Sequence, residues 1–455
     1  MYILVFSKDM RIIADFQIHS KYSRACSQDL NPKSIAQWAD KKGIGVIGTG
    51  DFTHPQWLAE LKENLEEAKP GLFRLKSSSL QEDAPLAERG ASSSPSALFM
   101  ITGEVSSIYK QGDKVRRVHN MILVPNFEAA DRIIEGLEKA GANLKADGRP
   151  IMGIKCPDLV KIVKEASPEA QIIPAHAWTP HFGVFGSLSG FNSIEEAFGD
   201  QAKYIFAIET GLSSDPQMNW QISGLDKYSL VSNSDAHSLR KIGREANVFE
   251  INEKKLSYAE IVRVIKNKDP KEFLFTIEFF PEEGKYHLDG HRDCKFSCEP
   301  EKTKKLGGVC PVCGKKLLVG VLNRVAELSD REPGFTPTRA VPFKSVIPLE
   351  EIIAETLGVG AQSKKVVEMY ERMTNAQYTV NSKQNTADEF SILLDLSEDQ
   401  ISKISSPAIA QAVIRVRQGK VKLEAGYDGV FGKIEIFSEE EREKLFNKPK
   451  QMGLF

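Results

Sequence analysis

Histidines and carboxylates recur in this chain where short apolar runs end. The clearest case is Val231-Ser232-Asn233-Ser234-Asp235-Ala236-His237-Ser238, where the run from Tyr228 to Val231 breaks into small polar residues. Asp and His two apart point to one side of an extended segment. One such pair could arise by chance, but the pattern repeats. Of eight histidines, six fall between His19 and His237, and five of these sit at or just past a strand-like run: His19, His54, His119, His176 and His237. Asp15, Asp51, Glu104 and Asp235 share those positions. Strands deliver their last side chains to one end of a sheet, where sites on α/β folds are built. A chain that repeats this feature must bring those ends to one face. Imidazoles with bridging carboxylates describe a multi-metal hydrolytic site, which lowers the pKa of bound water to about 7 and clamps phosphoryl oxygens.

The intervening sequence supports that reading. Residues 11–16 read as a strand ending at His19-Ser20. Asn31 and Pro32 open a helix that Gly43 stops. Ile44–Ile47 is the next strand, and a helix is expected over about 55–67. Strand-like runs return at 98–102, 120–124, 171–174, 204–208 and 228–231, with helical stretches such as 127–139 and 157–165 between them. Strands alternating with helices argue for parallel βα units, here a barrel. Residues 76–97, rich in Ser, Ala and Pro, read as a flexible insertion.

At 455 residues the chain exceeds one compact core. A net charge of -2 gives no global nucleic-acid signature, so such binding must rest on local patches. The apolar run Tyr2 to Phe6 is too short for a signal segment, and no stretch reaches membrane-spanning length. A cytoplasmic protein without membrane contact is expected.

The ordered motifs carry a resemblance. Ala14-Asp15-Phe16-Gln17-Ile18-His19-Ser20, Gly48-Thr49-Gly50-Asp51, Thr102-Gly103-Glu104, Arg117-Val118-His119-Asn120, Pro174-Ala175-His176-Ala177-Trp178 and Asn233 to Ser238 are similar to the polymerase-and-histidinol-phosphatase (PHP) superfamily. Within it the whole chain resembles the endonuclease Q family. The resemblance implies a distorted (β/α)7 barrel with a small zinc-binding segment and a mainly helical C-terminal domain. It also implies up to three divalent metals (Mg, Mn or Zn) at the strand ends. His19, Asp51, Glu104, His119, His176, Asp235 and His237 would be ligands, with Glu104, Asp235 and His237 central to catalysis. The first motif departs from His-x-His: Gln17 offers only a carbonyl oxygen. Arg24 stands where many PHP enzymes place an acidic ligand. His54 is either a further ligand or a helix-cap residue.

Cys294-x3-Cys298 and Cys310-x2-Cys313 form two pairs with metal-ligand spacing, expected to hold a structural Zn2+. His287 and His291 read as bystanders. This segment has a Lys/Arg excess that includes Lys315 and Lys316 and suits phosphate-backbone contact, although a solvated face is as plausible. Further on, Arg415 and Arg417 lead into Gly426-Tyr427-Asp428-Gly429-Val430-Phe431-Gly432. There Tyr427 or Phe431 either stacks on a base or closes a hairpin. The expected division is 1–284 (metal-dependent catalysis), 285–331 (zinc), 332–446 (DNA and lesion binding) and 447–455 (a flexible tail).

The resemblance implies a DNA repair endonuclease that cuts 5′ of deaminated bases (uracil, hypoxanthine, xanthine) or abasic sites. The alternatives are a PHP-type phosphoesterase acting on a small phosphate ester and a non-catalytic DNA-binding protein. The last residues, Gln451-Met452-Gly453-Leu454-Phe455, resemble the bacterial sliding-clamp motif, with Gln451 for the pocket rim and Met452, Leu454 and Phe455 as apolar anchors. Deleting 451–455 is expected to abolish binding to a bacterial β clamp in a pull-down while leaving cleavage of a short duplex intact. Equal clamp binding by both forms, or by neither, would contradict this.

Overall fold

The computed structural model describes residues 9–81, 96–380, 383–438 and 440–442. Of the flexible insertion expected over 76–97, residues 82–95 lie outside them, as does the clamp-like tail, whereas Ser77–Gln81 forms a short helix. Eleven strands form one curved sheet. Asp9–Asp15 lies near its centre, parallel to Val46–Gly48 and antiparallel to Ala246–Asn252. Val46–Gly48 pairs in parallel with Leu98–Gln111. A separate parallel pair, Ala207–Glu209 with Ser229–Val231, completes the ring of strand ends. The Ile18–Ala236 bridge and the bond from His19 N–H to the Ala236 carbonyl (2.9 Å) join that pair to the first strand.

The expectation of parallel βα units is met only in part. Residues 98–111 and 114–124 form one long antiparallel hairpin where two short strands were expected, and 114–124 pairs antiparallel with Gln171–Pro174. The helix expected over 55–67 ends at Asn64, and the chain turns into strand Leu65–Lys69. The signals at its start hold: Pro55 and Pro32 occupy first-turn positions of their helices, and the Asn31 side chain accepts from Ser34 N–H.

The C-terminal region builds a core of its own. Leu349, Ile352, Ile353, Val366, Tyr370, Ile401, Val413 and Phe437 are all buried in it, supplied largely by helices Leu349–Leu357, Lys364–Thr374, Glu398–Ile404 and Pro407–Arg417. Its two small hairpins, 377–386 and 422–435, pack Tyr378, Leu423 and Ile434 against that core. Among the described residues no helix is long and apolar enough to cross a membrane.

Charge pairs join this region to the barrel. The Lys42 ammonium is buried 2.6 Å from Glu389, whose oxygens also accept from Leu349 N–H (3.0 Å) and the Tyr370 hydroxyl (2.7 Å). Gly43, at φ 85°, ends the helix that carries Lys42. A Cβ there would meet Asp388 Oδ1 at 2.3 Å, so the close approach requires glycine. Around the buried pair lie Lys41–Glu371 (2.7 Å), Lys241–Glu351 (2.6 Å), Arg240–Glu350 and Arg11–Asp395 (2.8 Å).

Truncating one partner of a buried ion pair strands the other, at a cost of about 3–5 kcal/mol. Lys42→Ala should therefore lower unfolding free energy in urea by about that much, whereas Arg11→Ala, at the exposed pair, should cost under about 1 kcal/mol. Equal losses would show that the buried pair is not the anchor.

Candidate metal centre

Glu104 is the hub. It lies on the long strand Leu98–Gln111 with only 1% of its surface exposed. His119 Nδ1 contacts its Oε1, and His176 Nε2 lies 3.2 Å from the same oxygen. His19 Nε2 lies 3.2 Å from Oε2 and 3.0 Å from Asp235 Oδ1. Among the described residues, two barrel groups therefore bring three ligand atoms within 4.8 Å of one another: Glu104, His119 and His176, and His19, Asp235 and His237. The two groups meet at the gap between His19 and Glu104.

The backbone at these strand ends is unusual. Asp51, His176 and Asp235 all have positive φ (48°, 31° and 47°), a conformation that costs energy and concentrates at functional sites. Asp15 holds the loop that carries Asp235, accepting from Ser234 N–H and Gly243 N–H at 3.0 Å each.

The structure gives Asp51 a different role from that of a ligand. Its Oδ1 is 2.9 Å from His19 Nδ1, and its Oδ2 accepts from Ser20 N–H (2.6 Å), Ser20 Oγ (2.7 Å) and Ser23 Oγ (2.8 Å). With both oxygens engaged, Asp51 orients His19 and leaves its Nε2 for the site, the usual arrangement of a carboxylate behind a metal-binding imidazole. His54 occupies the N-cap position of helix Pro55–Asn64. It makes no side-chain cap bond, stacks on Tyr22 at 4.6 Å, and stands outside both groups.

Gln17 faces both ways. In the orientation that satisfies its amide, the nitrogen donates to both oxygens of Glu209 (2.9 and 2.8 Å), and its oxygen then turns toward Glu104 Oε2. Two acceptors facing each other suit a cation between them. Glu209 also accepts from Asn233 Nδ2 (2.8 Å) and His176 N–H (2.7 Å), so one buried carboxylate braces three of the strand ends.

Charge fits divalent cations too. Burial raises the Glu104 pKa, but His119 and Arg149 overcome it and hold the group well below the carboxylate range. Burial pushes the His119 imidazole down to about 4, leaving it neutral, as a ligand must be. His19 is raised well above its ordinary value: burial opposes this, but Asp51, Asp235 and Glu104 together outweigh it. That excess of negative charge on so few atoms suits divalent cations. Burial is graded across the site: the side chains of His19 and Glu104 are fully buried, whereas Asp235 and His237 are 25% and 33% exposed. The open side is therefore theirs.

In the cysteine segment the four side chains that converge differ by one from the expected Cys294, Cys298, Cys310 and Cys313. His291, Cys294, Cys310 and Cys313 bring their ligand atoms within 4.8 Å of one another. Cys298 falls outside this group, its buried sulfur 3.2 Å from the Thr303 hydroxyl. The hairpin 289–298 pairs Asp289 with Cys298 and His291 with Phe296, leaving His291 beside Cys294. Three thiolates and one imidazole suit tetrahedral Zn2+.

The expected DNA contacts divide. Lys315 and Lys316 are exposed, and Phe431 is 65% exposed with the Lys285 ammonium 4.5 Å from its ring centroid. Tyr427 instead packs on Gly290, where a Cβ would lie 2.4 Å from its ring, and so closes a structural contact. Arg417 donates to the carbonyls of Leu393 (2.7 Å) and Ile392 (2.5 Å), and Arg415 pairs with Glu441 (2.8 Å), so neither guanidinium is uncommitted.

Comparison with solved structures shows what this architecture is. The lesion-specific endonuclease Q of Pyrococcus furiosus superposes with a TM-score of 0.79 at 28% identity, covering 97% of this chain and 98% of that one. Along nearly its whole length the chain is similar to endonuclease Q. An endonuclease Q solved with a 27-mer duplex carrying an abasic lesion at its active site matches equally well, with a TM-score of 0.79 at 29% identity over 98% of this chain and all of that one. Residues 348–420 match the family model of the MJ0043 C-terminal domain. The uncharacterized protein YqxK of Bacillus subtilis is 26% identical over 406 residues, 88% of this chain and 91% of its own. The uncharacterized protein MJ0043 of Methanocaldococcus jannaschii is 31% identical over 267 residues, 57% of this chain but 31% of its own length.

His291→Ala should remove one zinc per chain, measured by mass spectrometry of the metal content, and lower the melting temperature. Cys298→Ser should keep that zinc. The opposite pattern would return the fourth position to Cys298.

Proposed function

We propose that this chain is a metal-dependent DNA repair endonuclease that hydrolyses the phosphodiester 5′ of deaminated bases or abasic sites. The observation that carries the reading is the pair of ligand groups around Glu104, set in a chain that matches a lesion-specific endonuclease along nearly its whole length. Divalent cations held by His19, Asp235 and His237 and by Glu104, His119 and His176 would supply Lewis-acid stabilisation of the charge that builds on phosphoryl oxygens. The protein's own groups set that chemistry up. Asp51 fixes the His19 ring, Glu209 fixes Gln17 and the His176 backbone, and burial keeps His119 neutral. Asp235 and His237, on the open side, face the strand to be cut. In this reading the barrel cuts, and the cysteine segment, with exposed Lys315 and Lys316, and the C-terminal region, with exposed Phe431, hold the damaged duplex.

A labelled duplex with one uracil, hypoxanthine or abasic site, incubated with Mg2+ or Mn2+, should be nicked on the 5′ side of the lesion. Glu104→Ala and Asp235→Ala should each slow nicking by about 10³-fold or more, as expected for a loss of several kcal/mol of charge stabilisation, with duplex affinity largely kept. Hydrolysis of small phosphate esters without nicking would favour the phosphoesterase, and binding without either would favour a non-catalytic module.

A further inference from the structure

Arg149 belongs to none of the ligand groups, yet it stands at their mouth. It lies near the end of the loop 140–150, where backbone bonds hold the stretch 147–150. Gly148 N–H donates to the Tyr22 carbonyl (3.0 Å), Arg149 N–H to Asp147 Oδ1 (3.0 Å), and Ser106 N–H to the Pro150 carbonyl (3.0 Å). Gly148 rests directly on the residues that orient His19: a Cβ there would lie 2.4 Å from Asp51 Oδ2 and 2.5 Å from Ser23 Oγ. Ser106 is two residues beyond Glu104 on the same strand. Arg149 is therefore fixed relative to Glu104 by backbone bonds.

Its guanidinium is largely unspent. Among the described residues the one hydrogen bond or ion pair of that group is from Nη1 to Glu104 Oε2 at 3.5 Å, longer than the 2.7–2.9 Å or so of a charge-assisted bond. A guanidinium has five N–H donors. Buried Arg324, by contrast, donates to the carbonyls of Phe185 and Phe191 (3.0 Å each) and to Asn192 Oδ1 (2.6 Å). The Arg149 side chain is 26% exposed, and its charge lies close enough to Asp235 and His237 to act on both.

We propose that Arg149 grips the non-bridging oxygens of the scissile phosphate, an assignment that rests on the endonuclease reading. A planar fork of donors matches two phosphate oxygens, and a permanent positive charge held in place before reaction stabilises charge as it builds there. In the hydrolysis the oxygen of water bonds to phosphorus and the P–O bond to one flanking sugar breaks. One proton of the water ends on the departing oxygen, and the other is released from the new phosphate monoester to solvent. Arg149 keeps its protons throughout.

The test compares full-length, metal-loaded wild type with Arg149→Lys and Arg149→Ala. Inorganic phosphate is titrated calorimetrically into each, and nicking of a single-abasic-site duplex is followed under single turnover, with metal content and melting temperature as controls. Arg149→Ala should bind phosphate at least tenfold more weakly and nick at least 100-fold more slowly with metal content unchanged, and Arg149→Lys should fall between. Phosphate affinity and nicking within twofold of wild type would overturn the assignment. So would loss of metal from Arg149→Ala, because the arginine would then serve Glu104 and not the phosphate. If wild type binds phosphate through Arg149 but nicks no damaged duplex, the phosphate contact stands and the repair reading fails.

Discussion

A buried carboxylate must be compensated, and in this protein the compensation of Glu104 organises everything around it. Isolated in the interior, its charge would be prohibitively costly. Here His119 and His176 meet one oxygen, while His19 and Arg149 approach the other. These partners come from different strand ends and one loop, so those elements must come together before Glu104 is satisfied. A further layer keeps the partners in place: Asp51 behind His19, Glu209 behind Gln17 and His176, and Asp15 behind the Asp235 loop. Three of the backbones involved adopt positive φ, which the surrounding hydrogen bonds must sustain.

Much of this was legible in the sequence, because a strand's end is a local event. His19, Glu104, His119, His176, Asp235 and His237 each follow or end an apolar run, and each reaches the site. The same rule would have found Glu209, which ends strand Ala207–Glu209, had it been applied to a carboxylate without a nearby histidine. Other features were hidden because they depend on partners distant in sequence. Asp51 looks like a ligand until Ser20 and Ser23 are seen to fill its second oxygen. Arg149 sits in a loop with no pattern of its own. The antiparallel hairpin 98–124 looks in sequence like two short strands because its outer half is polar and carries weak alternation. In the cysteine segment the unequal spacings held a clue. His291-x2-Cys294 matches Cys310-x2-Cys313, whereas Cys294-x3-Cys298 does not.

The attachment of the C-terminal region bears on the site as well as on stability. Arg240 and Lys241 follow His237 by three and four residues, and they pair with Glu350 and Glu351 on the first C-terminal helix. Arg244, just beyond, donates to the carbonyl of Ser234 (2.7 Å), inside the loop that carries Asp235. The segment that presents two ligand side chains is thus held at one end by the barrel and at the other by the C-terminal region. In the proposed function this joins the part that cuts to the part that holds the lesion.

If Glu104 stands between two cation sites, bound metal must flank it on both sides. Crystals soaked in Mn2+ and measured at the manganese absorption edge test it directly. Anomalous peaks are expected beside Glu104, one among His19, Asp235 and His237 and one among Glu104, His119 and His176. No peak at either group, or peaks only at positions away from Glu104, would contradict it.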